Sequence, residues 1–441
     1  MKRLVLVLLV AGAAVGSWGV WSWANRPQWS TKDPDTLRAV EHAQGELAKL
    51  YYREAAELLE QAAARSPDAF AVRYFLHRAY SGLGRMREAR EQLELLKAMD
   101  PAQLTPRERM LLELLVLRRS GDREAYLTRL RQYQEEYPRE AELARLLALA
   151  YQEAGRPDEA ERWGRRTLEL DPNDALAYNF LGYLELSRGR FAEAYEQFRK
   201  YAYIAPDQAN PHDSLGELFL ITGNLAEAER ELTEAVRLYP GFHQAWRHLA
   251  DLAVLKGDVE GARGAVGKMA EALQLTEEDR AMAEATALGL LGFFHRRPEL
   301  LAQGAARLTS PKDEWEYFVL HAAALQEGQA PRAEELERTL EAAVASAVPG
   351  SRGYARLLPL LQAQRLLAQG RWVEALQAAQ RAEAANSYVN VGQAWSRLLA
   401  QCAAAQALLR LGRLDEARAH LEKVKGVNPA FPGLAWVEGA M

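Results

Sequence analysis

The chain has almost no cysteine. Cys402 is the single cysteine among 441 residues, which excludes an intramolecular disulfide and a zinc site built from several thiolates. It lies at an apolar position of a helical pattern, so we expect it to be a small core residue. Cysteine content therefore gives no information on the cellular compartment.

Signatures of catalysis are also missing from the sequence. It contains no glycine-rich phosphate loop, no HExxH pair and no GxSxG nucleophile elbow. Its eight histidines are scattered, and the nearest two, His243 and His248, are too far out of helical phase to share a face. His77 and His321 stand where other segments carry Gly or Ala, which predicts packing between helices. We therefore expect no catalytic, cofactor or metal site, and a protein that is not an enzyme.

Charge is nearly balanced. Asp and Glu number 60 and Lys and Arg number 55, which gives a formal net charge of −5. A chain without a positive excess has no electrostatic attraction to nucleic acid, so nucleic acid is not an expected partner. Its length exceeds what one hydrophobic core usually supports, which favours several domains or a repeat array.

A repeat is present between residues 141 and 240, where three segments of equal length carry the same residue types at the same positions. Gly155, Gly189 and Gly223 recur in phase, and we expect each to end a first helix in the left-handed conformation. Small residues allow the two helices of each segment to lie close together. The recurring apolar and small residues are Leu147, Ala148 and Ala160; Leu181, Gly182 and Ala194; Leu215, Gly216 and Ala228; each segment closes on Pro172, Pro206 or Pro240.

This helix-turn-helix pattern, with a 34-residue interval between the closing prolines, resembles the tetratricopeptide repeat (TPR). The resemblance implies an all-α fold, a right-handed superhelix of helical hairpins in which the first helices line an inner groove. A generic helical bundle rich in Ala and Leu is the alternative. It would not keep Gly and Pro in one phase over so many residues.

The N-terminal segment 1–24 has a different composition. Lys2 and Arg3 precede an uncharged run over residues 4–23, about the 20 residues that span a bilayer as a helix. We interpret it as a transmembrane anchor, with a cleaved signal peptide ending at Ala24 as the alternative. In both cases the remaining chain is exported. The expected location is single-pass in the inner or cytoplasmic membrane with an exported repeat domain, periplasmic or extracytoplasmic, or else secreted or periplasmic if the N-terminus is cleaved.

The rest of the chain is divided by pattern. Thr105 and Pro106 predict the start of a helix that Gly121 ends, and Phe431 and Trp436 are expected to cap the last repeat. The predicted divisions are a linker at 25–34, an N-terminal TPR array at 35–276, degenerate helix pairs at 277–348, and C-terminal repeats with a cap at 349–441.

Residues one period apart should stack into ladders along the inner groove and offer a surface to a protein or peptide. Half of a neighbouring apolar strip, formed by Leu186, Leu220, Ile221, Val254 and Leu255, is expected to be buried. The ladder residues predicted to bind a partner are Arg145, Asn179, Tyr183, Asn210, Asp213, Glu217, Gln244, Arg247 and Asp251.

By this resemblance the chain is similar to envelope-assembly and periplasmic chaperone-like TPR proteins, which implies a non-catalytic scaffold or adaptor in envelope assembly or protein quality control. The alternative is a substrate-delivery or assembly subunit of an envelope enzyme or export complex, as in polysaccharide export or cofactor attachment. Gly12 and Gly16 add the alternative of a homo-oligomer that pairs through the N-terminal helix.

Overall fold

The computed structural model describes residues 29–346 and 351–439. The predicted anchor or signal segment 1–24, the Gly12 and Gly16 pair and most of the linker 25–34 lie outside these residues, as does the predicted boundary near 348. Within the described part of the chain, no helix has both the length and the apolar character to cross a membrane.

The chain divides into two compact units, Met1–Ala154 and Gly155–Met441. No strand occurs in the described residues, which confirms the all-α prediction. The helices described in the first unit are α1 Pro34–Ala48, α2 Tyr52–Arg65, α3 Phe70–Gly82, α4 Met86–Lys97, α5 Pro106–Ser120, α6 Arg123–Glu136 and α7 Ala141–Glu153.

The second unit continues the same alternation of helices and short loops. Its described helices are α8 Pro157–Leu170, α9 Ala175–Ser187, α10 Phe191–Ile204, α11 Ala209–Thr222, α12 Leu225–Leu238, α13 His243–Lys256, α14 Val259–Leu273, α15 Glu277–Phe294, α16 Pro298–Ala305, α17 Glu314–Gln326, α18 Ala330–Ala345, α19 Ser351–Ala368, α20 Trp372–Ala385, α21 Val391–Arg410, α22 Leu414–Val427 and α23 Leu434–Glu438. Consecutive helices pack against one another, and α11 also packs against α13.

The phased glycines have the role that the sequence predicts. Gly155, Gly189 and Gly223 have φ angles of 72°, 73° and 77°, a left-handed conformation in which a side chain would be strained. At the other small position, a Cβ on Gly182 would lie 2.4 Å from the Phe198 ring. The absence of a Cβ there lets α9 and α10 approach closely.

Local sequence signals also predict the two ends of α5 correctly. Thr105 caps its first turn through a reciprocal capping box with Glu108, and Gly121 ends it at φ 80°. In the degenerate region, α15 and α16 form the expected helix pair, although α16 has only 8 residues. A Cβ on Gly292 would lie 2.3 Å from the backbone nitrogen of Leu301, so this pair is packed backbone to backbone.

The C-terminal residues correct the predicted cap. Trp436 packs edge-on against Phe293 at 4.9 Å between ring centroids, and Phe431 lies 5.7 Å from Phe294. Both phenylalanines belong to α15, so the tail covers more than the last repeat. Asn428 donates its side-chain amide to the Leu220 carbonyl at 3.2 Å, which ties the end of α22 to α11.

A second correction concerns the apolar strip. Leu186, Leu220, Ile221, Val254 and Leu255 are all at most 5 % exposed, whereas half of the strip was expected to be open. Helix α21 packs on α11, and Asn428 reaches the backbone of Leu220. The C-terminal helices therefore fold back onto the inner helices of the same unit and cover part of the surface that the repeats would otherwise present.

The close helix approach at Gly182 can be tested with an alanine pair. Gly182→Ala should lower the free energy of unfolding by about 1–3 kcal/mol because the new methyl group meets a fully buried ring. Gly264→Ala is the control, since Gly264 lies within a helix with nothing within 4 Å of the added Cβ; it should be neutral or stabilise by up to about 1 kcal/mol. Guanidinium chloride unfolding followed by circular dichroism measures both. Equal stability of the two variants would contradict the packing role.

Candidate functional site

Three side chains of the predicted ladders and one histidine gather on successive inner helices of the second unit. Tyr183 on α9 donates its hydroxyl to Glu217 Oε2 on α11 at 2.9 Å. His248 on α13 lies between two carboxylates, with Nδ1 2.8 Å from Asp213 Oδ1 and Nε2 3.3 Å from Glu217 Oε1. Residues about one period apart are therefore in contact, as the repeat predicts. We call Tyr183, Asp213, Glu217 and His248 the inner cluster.

The inner cluster is a buried ion network. Burial alone would lower the pKa of His248, but Asp213 and Glu217 outweigh it and raise that pKa to about 10. Burial would raise the pKa of Glu217, but the His248 imidazolium lowers it to about 2. The His248 imidazolium and the Glu217 carboxylate are therefore charged at neutral pH. Removing one member would leave the others buried without compensation.

Helix α21 closes over the inner cluster. Its first residue, Val391, donates its backbone N–H to Glu217 Oε1 at 3.2 Å, and the Asn390 side chain caps the helix through the Gln393 N–H. A helix N-terminus has N–H groups without partners and a partial positive charge, so a buried carboxylate is a favourable partner for it. His248, Asp213 and Glu217 are only 2–3 % exposed. This part of the predicted groove is inside the protein.

Of three further predicted residues, two make hydrogen bonds within the fold. The Asn179 amide oxygen accepts from the Ser214 hydroxyl at 3.1 Å, and the Asn210 amide donates to the Tyr201 hydroxyl at 2.8 Å. Gln244 is half-buried, and its amide oxygen is enclosed without a hydrogen bond from any described residue. Arg145 belongs to α7 of the first unit and is not part of the inner cluster.

The last two predicted residues, Arg247 and Asp251, face a cavity of about 520 Å³. It lies within the second unit and is bounded by α13, α14, α15, the residues leading into α17, and the first turn of α21. Arg247 is exposed and Asp251 is half-buried. The remaining lining residues include Val266, Met269, Met282, Leu290, Asp279, Lys312, Asp313, Glu314, Trp315, Glu316, Asn390 and Trp395. We call this space the Asp251 cavity.

The charged residues around the Asp251 cavity differ in whether they have a hydrogen-bond or ion-pair partner. Lys312 Nζ forms an ion pair with Asp279 at 2.8 Å. Asp251, in contrast, has no hydrogen bond or ion pair among the described residues, and burial raises its pKa to about 6 although the Arg247 charge opposes this. Aromatic rings form another wall, where Trp315 and Trp395 lie 5.8 Å apart between centroids.

The inner cluster holds His248 in its protonated form. A histidine acts as a general base only in its unprotonated form, whereas the raised pKa keeps His248 protonated, and both of its ring nitrogens face carboxylates. No group of His, Cys, Asp and Glu in residues 29–346 and 351–439 has a geometry that could hold a metal ion. The cluster therefore acts through charge and hydrogen bonding on the fold.

Sequence reasoning missed His248, Lys312, Trp315 and Trp395. His248 had a usable signal, because it lies 35 residues after Asp213 and so within one residue of the repeat spacing. Lys312 and Trp315 lie in a region without clear repeat phase, and Trp395 is brought to the cavity by the fold-back of α21. No local pattern connects these three residues with Asp251.

A family model described as tetratricopeptide repeat matches residues 111–175, 165–209, 214–276 and 360–435, which is more than half of the chain, and a second such model matches 51–112. The chain belongs to the tetratricopeptide repeat family. No curated protein matches this TPR chain. Its membership explains the phase of Gly155, Gly189 and Gly223 and the stacking of equivalent inner residues.

Solved structures similar to this TPR chain include the following three proteins. PilW, described as a type IV pilus biogenesis factor, is 22 % identical over 47 % of this chain and 94 % of its own, with a TM-score of 0.39. PilF of Pseudomonas aeruginosa is 19 % identical over 48 % and 94 %, with a TM-score of 0.35. A TPR protein of Parabacteroides merdae is 16 % identical over 66 % and 99 %, with a TM-score of 0.39.

Replacement of His248 tests the inner cluster. His248→Gln should lower the free energy of unfolding by about 3–5 kcal/mol at pH 7, because two buried carboxylates lose their counter-ion. A raised histidine pKa stabilises the fold fully below the unfolded value of 6.5, and this stabilisation is lost as pH rises through about 10. The difference between wild type and variant should therefore narrow at alkaline pH.

Denaturant unfolding at pH 7 and at pH 10.5 measures this difference. His42→Gln is the control, since the His42 side chain is 65 % exposed and its replacement should change stability by no more than about 0.5 kcal/mol. A His248→Gln variant as stable as the control at pH 7 would show that the cluster does not hold the fold together.

Proposed function

We propose that this TPR protein is a non-catalytic adaptor for a protein or peptide partner in envelope assembly or protein quality control, and that the partner engages the Asp251 cavity. The repeat family supports the first part, because stacked helical hairpins present extended inner surfaces suited to polypeptides. The supporting observation for the second part is that Arg247 and Asp251 remain reachable on an inner wall whose Asp213 and Glu217 the chain covers itself.

The predicted partner-binding residues include some on the covered part of the inner wall and some on its open part. Asp213 and Glu217 are at most 3 % exposed, and Glu217 already accepts from its own helix α21. A partner would have to displace α21, a helix with 14 buried residues among its 20, to reach them. Arg247 and Asp251 need no such displacement. We therefore assign partner contact to these two residues and to the cavity beside them.

Site-specific crosslinking in intact cells tests the adaptor proposal. A photoactivatable residue at position 247 should trap a defined partner, because this position is exposed at the cavity. The matched control is position 203, which is 87 % exposed and does not line the cavity. A photoactivatable residue placed in the identified partner should in turn trap this TPR protein.

Comparison of the proteins trapped from positions 203 and 247 distinguishes specific partner binding from nonspecific contact. Trapping of the same proteins from 203 and 247, or of nothing from 247, would overturn the adaptor proposal. The structures of the variants are expected to be unchanged, since both side chains are exposed, and circular dichroism of the purified proteins checks this.

We also propose that residues 4–23 place the repeat array on the far side of the cytoplasmic membrane. The support is the uncharged run after Lys2 and Arg3. Alkaline phosphatase fused after Lys32, before α1 begins, should be active, because this enzyme needs an oxidising compartment. Green fluorescent protein fused at the same residue through the same export route should be dark. The reverse pair of results would place the array in the cytoplasm and contradict the proposal.

A further inference from the structure

Building on the adaptor role proposed above, we infer that the Asp251 cavity receives a basic side chain of the partner, a lysine or an arginine, set within an apolar segment. The inference adds the chemistry of the ligand to the place of binding. It rests on three observations: Asp251 has no hydrogen-bond or ion-pair partner among the described residues, the cavity walls are largely apolar and aromatic, and acidic residues outnumber basic ones around the cavity.

Asp251 is the acidic group at the cavity that the described residues leave without a partner. Asp279 is held by Lys312 at 2.8 Å and by the Thr276 hydroxyl at 2.7 Å. Asp313 caps α17 by accepting from the Trp315 and Glu316 N–H groups. An unpaired carboxylate removed from bulk water is unfavourable, and a cation from outside would relieve this cost.

The other two acidic groups at the cavity are also engaged. Glu316 accepts from the backbone N–H groups of Lys312 and Asp313. Glu314 lies 3.9 Å from the Arg356 guanidinium. An incoming cation would compete with hydrogen-bond or ion-pair partners at these carboxylates, whereas at Asp251 it would meet only the charges of Arg247 and His248, which act there without a hydrogen bond.

The walls of the cavity suit a long basic side chain. Val266, Met282 and Leu290 supply aliphatic surface, and Trp315 and Trp395 supply aromatic faces. Lysine and arginine bury their methylene stems along such surface while the charged end reaches a carboxylate or an aromatic face. The cavity of about 520 Å³ is large enough for one such side chain with neighbouring apolar groups of the same segment.

Charge around the cavity favours a cation over an anion. Two basic residues, Arg247 and Lys312, line it beside five acidic ones. Lys312 is neutralised by Asp279, which leaves Arg247 as the feature that would favour an acidic ligand. Arg247 is exposed while Asp251 is half-buried, so the carboxylate and not the guanidinium gains most from pairing in the enclosed part.

The ionisation of Asp251 gives the binding a pH dependence. Burial raises its pKa to about 6, so affinity for a cation should fall as the pH is lowered through about 6. The charged groups around it are Arg247 and His248 on its own helix, Glu217 on α11, Asp279 on α15, and Lys312 to Glu316 before and within α17. Helix α21 contributes Asn390, which does not titrate.

Three labelled peptides test the inference with the purified full chain. The probe is acetyl-Ala-Leu-Lys-Leu-Ala-amide, and the comparison peptides carry norleucine or glutamate in place of lysine. At pH 7.5 the lysine peptide should bind at least about ten-fold more tightly than the norleucine peptide, as fluorescence anisotropy measures; this preference is equivalent to about 1.4 kcal/mol.

Asp251→Asn should reduce the lysine preference to within about two-fold, and lowering the pH to 5 should do the same for the wild type. The matched control is Glu260→Gln, which removes the same charge from a residue that is 82 % exposed and paired with Arg263. It should leave the preference intact. Asp251→Asn should fold, because it removes a poorly solvated charge, and circular dichroism confirms this before binding is measured.

Four outcomes would overturn the inference: equal binding of the lysine and norleucine peptides, no measurable binding of any peptide, tighter binding of the glutamate peptide, or a preserved preference in Asp251→Asn. The adaptor proposal is judged separately by crosslinking from position 247. If a partner is still trapped there in the Asp251→Asn background, the adaptor stands and only the basic side chain is rejected.

Discussion

The packing of helices in the second unit depends on the buried carboxylate of Glu217. It accepts from the Tyr183 hydroxyl, faces the His248 imidazolium and accepts the first N–H of α21. These contacts connect α9, α13 and α21 through one buried charge on α11. Such a charge is stable only while its partners are in place. The network therefore favours the one arrangement in which α21 lies on α11.

This arrangement changes which surface the repeats expose to a partner. In a simple TPR array the inner helices would leave a continuous groove for an outside polypeptide. Here α21 covers Glu217, and the Asn428 side-chain amide donates a hydrogen bond to the Leu220 carbonyl. The apolar strip beside them is buried for the same reason. Beside the covered part lies the bounded Asp251 cavity, and a bounded cavity selects for a side chain more than for the length of a segment.

The repeat period predicts most of the local structure. It gives the positive φ at Gly155, Gly189 and Gly223 and the close approach at Gly182, because these depend on residues within one hairpin. The ladder position of Arg247 and Asp251 follows from the same period. The fold-back does not, since Val391 and Glu217 are 174 residues apart and pair through a backbone N–H that any residue but proline supplies. The covering of the ladder could therefore be found only in three dimensions.

Glu217 and Asp251 occupy equivalent positions one period apart, and their difference carries the argument for a ligand. Glu217 has a hydroxyl, an imidazolium and a backbone N–H as partners, and its pKa is lowered to about 2. Asp251 has no hydrogen bond or ion pair among the described residues, and burial raises its pKa to about 6 although the charges of Arg247 and His248 oppose this. The repeat thus places the same type of acceptor at two sites, and the protein's own chain satisfies one of them. A cationic group brought to the second site would complete it in the way that His248 and α21 complete the first.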